Sequence, residues 1–101
     1  MDTGKRKRLE AKGWKFGTVS ELLALTPEDE AYIEMKLAIA DALEKKRKQR
    51  HLTQKQLAEV LKTSQPRVAM MEHGDASVTL DLIVRGLLAL GAKPKKFAAL
   101  F

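Results

Sequence analysis

The chain has 101 residues, a formal net charge of +6 and no cysteine. That length suits one small domain with an arm, and the lack of cysteine excludes disulfides and thiolate metal sites. No apolar run approaches the roughly 20 residues that a membrane span needs, so membrane proteins are excluded, while the basic balance points to an anionic partner.

Apolar residues are 45% of the chain but aromatics only 5%, which favours helices packed through aliphatic side chains over a β-sandwich. Residues 1–17 are basic (Lys5, Arg6, Lys7, Arg8, Lys12, Lys15) and broken by Gly4, Gly13 and Gly17. They read as a solvated arm or as a segment that docks on nucleic acid or protein. Met1–Lys15 has no apolar signal-peptide core, so no export is expected and the location is read as cytoplasmic. Val19–Leu25 is a short helical patch that closes an N-terminal region over 1–25.

Thr26 is the next signal. It is an expected N-cap, with Pro27 at the first helical position and Asp29 three residues on. A long helix to about Arg50 follows, with Ile33, Leu37, Ile39 or Ala40, and Leu43 as its apolar stripe. Lys45, Lys46, Arg47, Lys48 and Arg50 suit its negative end. Thr53 and Gln56 have capping-box spacing, and Leu57, Ala58, Val60 and Leu61 are expected inward. The pattern breaks at Lys62-Thr63. Ser64 then caps another helix that has Pro66 in its first turn, Val68 and Met71 inward, and Gly74 as its stop. Thr79 caps a helix carrying Leu80, Ile83, Val84, Leu87, Leu88 and Leu90, which Gly91 ends. The domain is expected over 26–94. An apolar tail over 95–101 has Phe97, Leu100 and Phe101, which either pack beneath the preceding helix or form a dimer surface. The expected fold is therefore all-α, a compact bundle of about five helices.

Two short helices joined by a very short turn must cross steeply, as in a helix-turn-helix. The second then projects an outer face with Gln65, Arg67, Ala69 and Met70, the set expected to meet base edges. Gln suits adenine, Arg forks to guanine or grips phosphate, and Ala or Met touches a thymine methyl. Gln54, Lys55, Lys62 and Ser64, at helix starts and in the turn, are expected phosphate contacts.

Leu52-Thr-Gln54, Leu57-Ala58, Ser64-Gln65, Val68, Glu72 and Gly74, continuing through Ser77–Leu82 to Leu88-Ala-Leu-Gly91, resemble the Cro/Xre-type helix-turn-helix over about Leu43–Lys93. The resemblance implies a lambda-repressor-like fold, double-stranded operator DNA as partner, Gln54 on a phosphate and residues near 65–70 on bases. It also implies a structural ion pair between Arg47 and Glu72. Lys62 stands where the family often has glycine, Thr63 where an apolar residue is common, and Ala69 and Met70 where polar residues are frequent. Lys12–Leu23, the Thr26–Glu30 cap and Ser64–Val68 narrow the resemblance to HigA-like antitoxins. Such proteins repress their own operon and bind a RelE/HigB-like ribonuclease toxin. Trp14, Phe16, Leu22 and Leu23 are the candidate toxin contacts, although Trp14 and Phe16 equally suit an anchor of the arm to the core. The alternative is a stand-alone Xre-type repressor. A homodimer is expected, because one recognition helix reads only a few base pairs.

An enzyme is not expected. His51 and His73 are the only histidines and have no ligand partners at useful spacing, so no metal, cofactor or catalytic residue is assigned. Glu28, Asp29, Glu30 and Glu34 read as charges at a helix start rather than a catalytic set. A module for RNA or an anionic membrane lacks aromatic stacking residues and a long basic amphipathic face.

Overall fold

Each of the four longer helices among the described residues begins and ends with the same two devices. The computed structural model describes residues 26–98. It places helices at Pro27–Gln49 (α1), Gln54–Leu61 (α2), Gln65–His73 (α3) and Leu80–Ala89 (α4), and a one-turn segment at Pro94–Ala98 (α5). Thr26, Thr53, Ser64 and Thr79 each sit in extended backbone and accept a hydrogen bond from the amide three residues on. This satisfies one of the amides that a helix start leaves without an internal partner. At Thr26 and Thr53 the cap's own N–H donates in return to Asp29 Oδ2 or Gln56 Oε1, which completes a capping box.

The ends are equally uniform. His51, Lys62, Gly74 and Gly91 have φ of 56°, 56°, 69° and 90°. The amide after each left-handed residue reaches back to a carbonyl five residues earlier: Leu52 to Arg47, Thr63 to Ala58, Asp75 to Met70 and Ala92 to Leu87. This is the Schellman end, which reverses the chain within a few residues. Gly74 fills its corner for a second reason. A Cβ there would come within 2.7 Å of Leu37 Cδ2.

The core lies where α1 crosses α3 and α4, with α2 closing one side. Leu43, Leu57, Val68, Met71, Val78 and Ile83 are its largest fully buried side chains, each contributing about 1.5–3 kcal/mol by leaving water. Gly86 lets α4 pack closely, since a Cβ at that position would meet Met71, Leu43 and Leu61 at 3.1–3.5 Å.

Three expectations change. Among the described residues there are four full helices and the one-turn α5, not five; the expected Val19–Leu25 helix lies outside those residues. Val60 is 54% exposed rather than inward, because successive residues turn about 100° and Leu57, Ala58 and Leu61 already define the buried side. On α1, Leu37 is half-buried, while Lys36 is 2% exposed and donates its Nζ proton to the Asp75 carbonyl at 3.1 Å. Phe97 packs against the core, whereas Leu100 and Phe101 lie outside the described residues.

Candidate nucleic-acid interface

The interface starts from a buried charge. Glu72 on α3 has a side chain only 3% exposed, and Arg47 on α1 faces it at 11%. Arg47 Nε donates to Glu72 Oε2 at 2.6 Å and Nη2 to Oε1 at 3.1 Å, while Nη1 donates to the Leu52 carbonyl at 2.8 Å. The two-pronged bond raises the guanidinium pKa above its ordinary value despite the opposing effect of burial. Three elements are thereby tied at one point: α1, the Leu52 corner and α3.

The tie extends outward. Gln54 Nε2 donates to Glu72 Oε1 at 3.2 Å, and Gln65 Nε2 donates to Gln54 Oε1 at 2.8 Å. The first residue of α2 thus touches the first residue of α3, and the pair of helix starts is held at a fixed separation. Gln65 still has Oε1 and one N–H for a ligand.

Residues 43–97, more than half of the chain, match the family model described as helix-turn-helix. The chain belongs to the helix-turn-helix family. It is accordingly a DNA-binding transcription regulator, of the Cro/Xre type of helix-turn-helix. No curated protein and no solved structure gives a significant match. No helix among the described residues is long and apolar enough to cross a membrane.

In this helix-turn-helix the two helix starts differ as anion sites. At α2 the Gln54 and Lys55 amides have no partner among the described residues, and Gln56 N–H is held by the Thr53 hydroxyl. At α3 only the Gln65 amide remains. Pro66 has no N–H, Arg67 N–H goes to Ser64 Oγ at 3.3 Å, and Val68 N–H goes to the Ser64 carbonyl at 3.1 Å. The α2 start therefore presents more donors to a phosphate, beside the positive end of its helix dipole.

The candidate contacts fall into place unequally. Lys55, Lys62, Ser64, Gln65 and Arg67 are exposed. Lys55, Lys62 and Arg67 make no side-chain bond with the described residues, unlike Lys45 and Lys48, which pair with Asp41 and Glu44 along α1. Gln54 was expected on a phosphate. Its carbonyl oxygen and one side-chain N–H are committed inside the protein, which leaves its other side-chain N–H and its backbone amide. Ala69 and Met70 are half-buried rather than fully outward. Met70 packs against the core and lies 3.6 Å from Ser77 Oγ, because it is only about 100° around the helix from buried Met71. Trp14, Phe16, Leu22 and Leu23 lie outside the described residues.

Sequence reasoning missed Lys36 and the two glutamine bonds. Lys36 lies on the apolar stripe, three residues after Ile33 and four before Ala40, which is the available signal. Burial pushes its pKa below the ordinary lysine value, against the opposing charge of Asp75. Hydrogen bonds from Ser77 in turn hold the Asp75 carboxyl below its usual value.

Proposed function

We propose that the chain is a sequence-specific repressor that binds operator DNA as a homodimer, with no catalytic role, in the cytoplasm. The observation that carries this reading is the exposed polar start of α3. Gln65 and Arg67 stand there exposed, with Lys55, Lys62 and the free α2 amides around them as an anion-binding margin. Gln65 and Arg67 read base edges; Lys55, Lys62, Ser64 and the start of α2 hold phosphates. Two copies set their α3 helices about 34 Å apart on one face of the duplex. The experiment is an affinity series in salt on a duplex recovered from a random pool and on an unrelated duplex. Lys62→Ala is expected to weaken both alike and to reduce the log-salt slope by about one unit. Gln65→Ala is expected to cost about 1–3 kcal/mol on the recovered site and far less on the other. Wild-type discrimination by Gln65→Ala would refute the placement of α3 as reader.

The same reading extends to an antitoxin that holds a RelE/HigB-like toxin through Trp14, Phe16, Leu22 and Leu23. Its support is the resemblance of residues 12–30, together with Tyr32 and Met35, which are 44% and 39% exposed on α1 next to that segment in sequence. Large apolar side chains left in water on one helix face are the chemistry of a protein contact. Co-expression with the neighbouring reading frame of its operon, followed by co-purification, tests it. Replacing Trp14 and Phe16 with alanine is expected to release the partner and spare DNA affinity. If no protein co-purifies, the stand-alone repressor is the correct reading.

A further inference from the structure

The chain of bonds from Glu72 to Gln65 has a direction, and only one residue in it dictates that direction. A glutamine amide turned by half a circle exchanges donor for acceptor at almost no steric cost. Gln65 on a free helix start would populate both orientations. Glu72 cannot follow such a turn, because an ionised carboxylate only accepts. Its Oε1 therefore requires Nε2 of Gln54, which points Gln54 Oε1 at Gln65, which must answer with its own Nε2. Turning Gln65 alone would set two carbonyl oxygens against each other. Turning both glutamines would set the Gln54 oxygen against a carboxylate that is 97% shielded from water, its side chain being 3% exposed, where an unmade bond is most costly.

We propose that Glu72 is a specificity-positioning residue: through Gln54 it locks the Gln65 amide in one orientation, which accepts adenine and rejects guanine at the base pair that Gln65 meets. This rests on the DNA-reading role proposed for α3. The locked amide presents Oε1 and one N–H side by side. Adenine offers a donor at N6 beside an acceptor at N7, which matches. Guanine offers two acceptors, O6 and N7, so Oε1 would face O6. A glutamine released from Gln54 could turn both N–H groups of its NH2 toward O6 and N7, with Oε1 aimed away, and so tolerate guanine.

The test is selection of full-length chain on a randomised duplex pool, with sequencing of the bound fraction. Gln65→Ala first identifies the column that Gln65 reads, as the one whose preference it loses. At that column the wild type is expected to favour adenine over guanine by about tenfold. Glu72→Gln, whose amide can donate or accept, and Gln54→Leu, which cuts the relay without touching the Arg47–Glu72 pair, are each expected to lower that ratio by about threefold or more. The ratio is internal to each variant, so a uniform loss of affinity from a weakened fold does not move it. Gln54→Leu also serves if Glu72→Gln fails to fold. An unchanged ratio in Gln54→Leu, or a wild-type column without adenine, would overturn this proposal and leave the DNA reading intact. A pool with no enriched motif would overturn the DNA reading and this proposal with it.

Discussion

Lys62 carries a backbone cost that a single substitution should remove. It sits left-handed at φ 56° and ψ 47° at the end of α2, a conformation that costs a residue with a Cβ about 1–2 kcal/mol. Glycine escapes that cost but gives up about 0.5–1 kcal/mol more chain entropy on folding. Lys62→Gly should therefore stabilise the fold by about 0.5–1 kcal/mol, which for a domain of this size raises Tm by about 2–8 °C. The assay is thermal unfolding followed by circular dichroism, with Lys62→Ala as control. Alanine removes the same charge but keeps the strained backbone, so it should leave Tm unraised. Both variants should lose one unit of salt slope on DNA, so the glycine variant is firmer in fold and weaker in grip. If Lys62→Ala raises Tm as much as Lys62→Gly, the gain comes from reduced charge repulsion in a chain of net charge +6, and the strain argument fails.

Other outcomes follow from the same geometry. Glu72→Ala should cost about 3–5 kcal/mol in urea unfolding, because it strands Arg47 in a nearly dry site, whereas Arg47→Met with Glu72→Met should recover most of that loss; equal losses in the single and the double variant would contradict it. Gly74→Ala should destabilise by about 1–2 kcal/mol, since its new methyl meets Leu37 at 2.7 Å in a left-handed backbone; an unchanged urea midpoint would count against this. The Lys36 pKa is depressed below 10.5, so the unfolded chain binds its proton more tightly, and stability should climb as pH rises from the folded value towards 10.5; Lys36→Met should flatten that climb. Asp75 is held below 3.8 by Ser77, so its contribution is complete above 3.8 and is lost as pH falls through the depressed folded value. The stability gap between wild type and Ser77→Ala should close over that acid range.

Features were legible in the sequence where one residue type does one job at a fixed offset. Thr26 with Asp29 and Thr53 with Gln56 announce their helices, because a cap needs only a hydroxyl and an amide three residues on. The buried side of α3 was legible for a similar reason: Val68 and Met71 sit one turn apart and both reach full burial. Lys36 was not legible, because its acceptor is a carbonyl 39 residues away that only the folded corner after Gly74 brings near. Gln54 looked like a free polar side chain at a helix start. Its commitments to Glu72, 18 residues on, and Gln65, 11 residues on, depend on how α2 and α3 cross. Val60 misled because an apolar residue next to an apolar face is not itself on that face.

The four hydroxyl caps also bear on how reversibly the protein works. Each helix start is secured by a hydrogen bond between neutral groups, and the Arg47–Glu72 pair is shielded from solvent. Dissolved ions screen neither arrangement strongly. The proposed grip on phosphates depends instead on exposed Lys55 and Lys62, and such contacts weaken steeply as counterions accumulate. On the proposed reading, an ionic shock is expected to separate protein from duplex while the fold stays assembled. The released molecule would then keep the proposed reading face in shape and return to DNA by diffusion alone, with no refolding step in between.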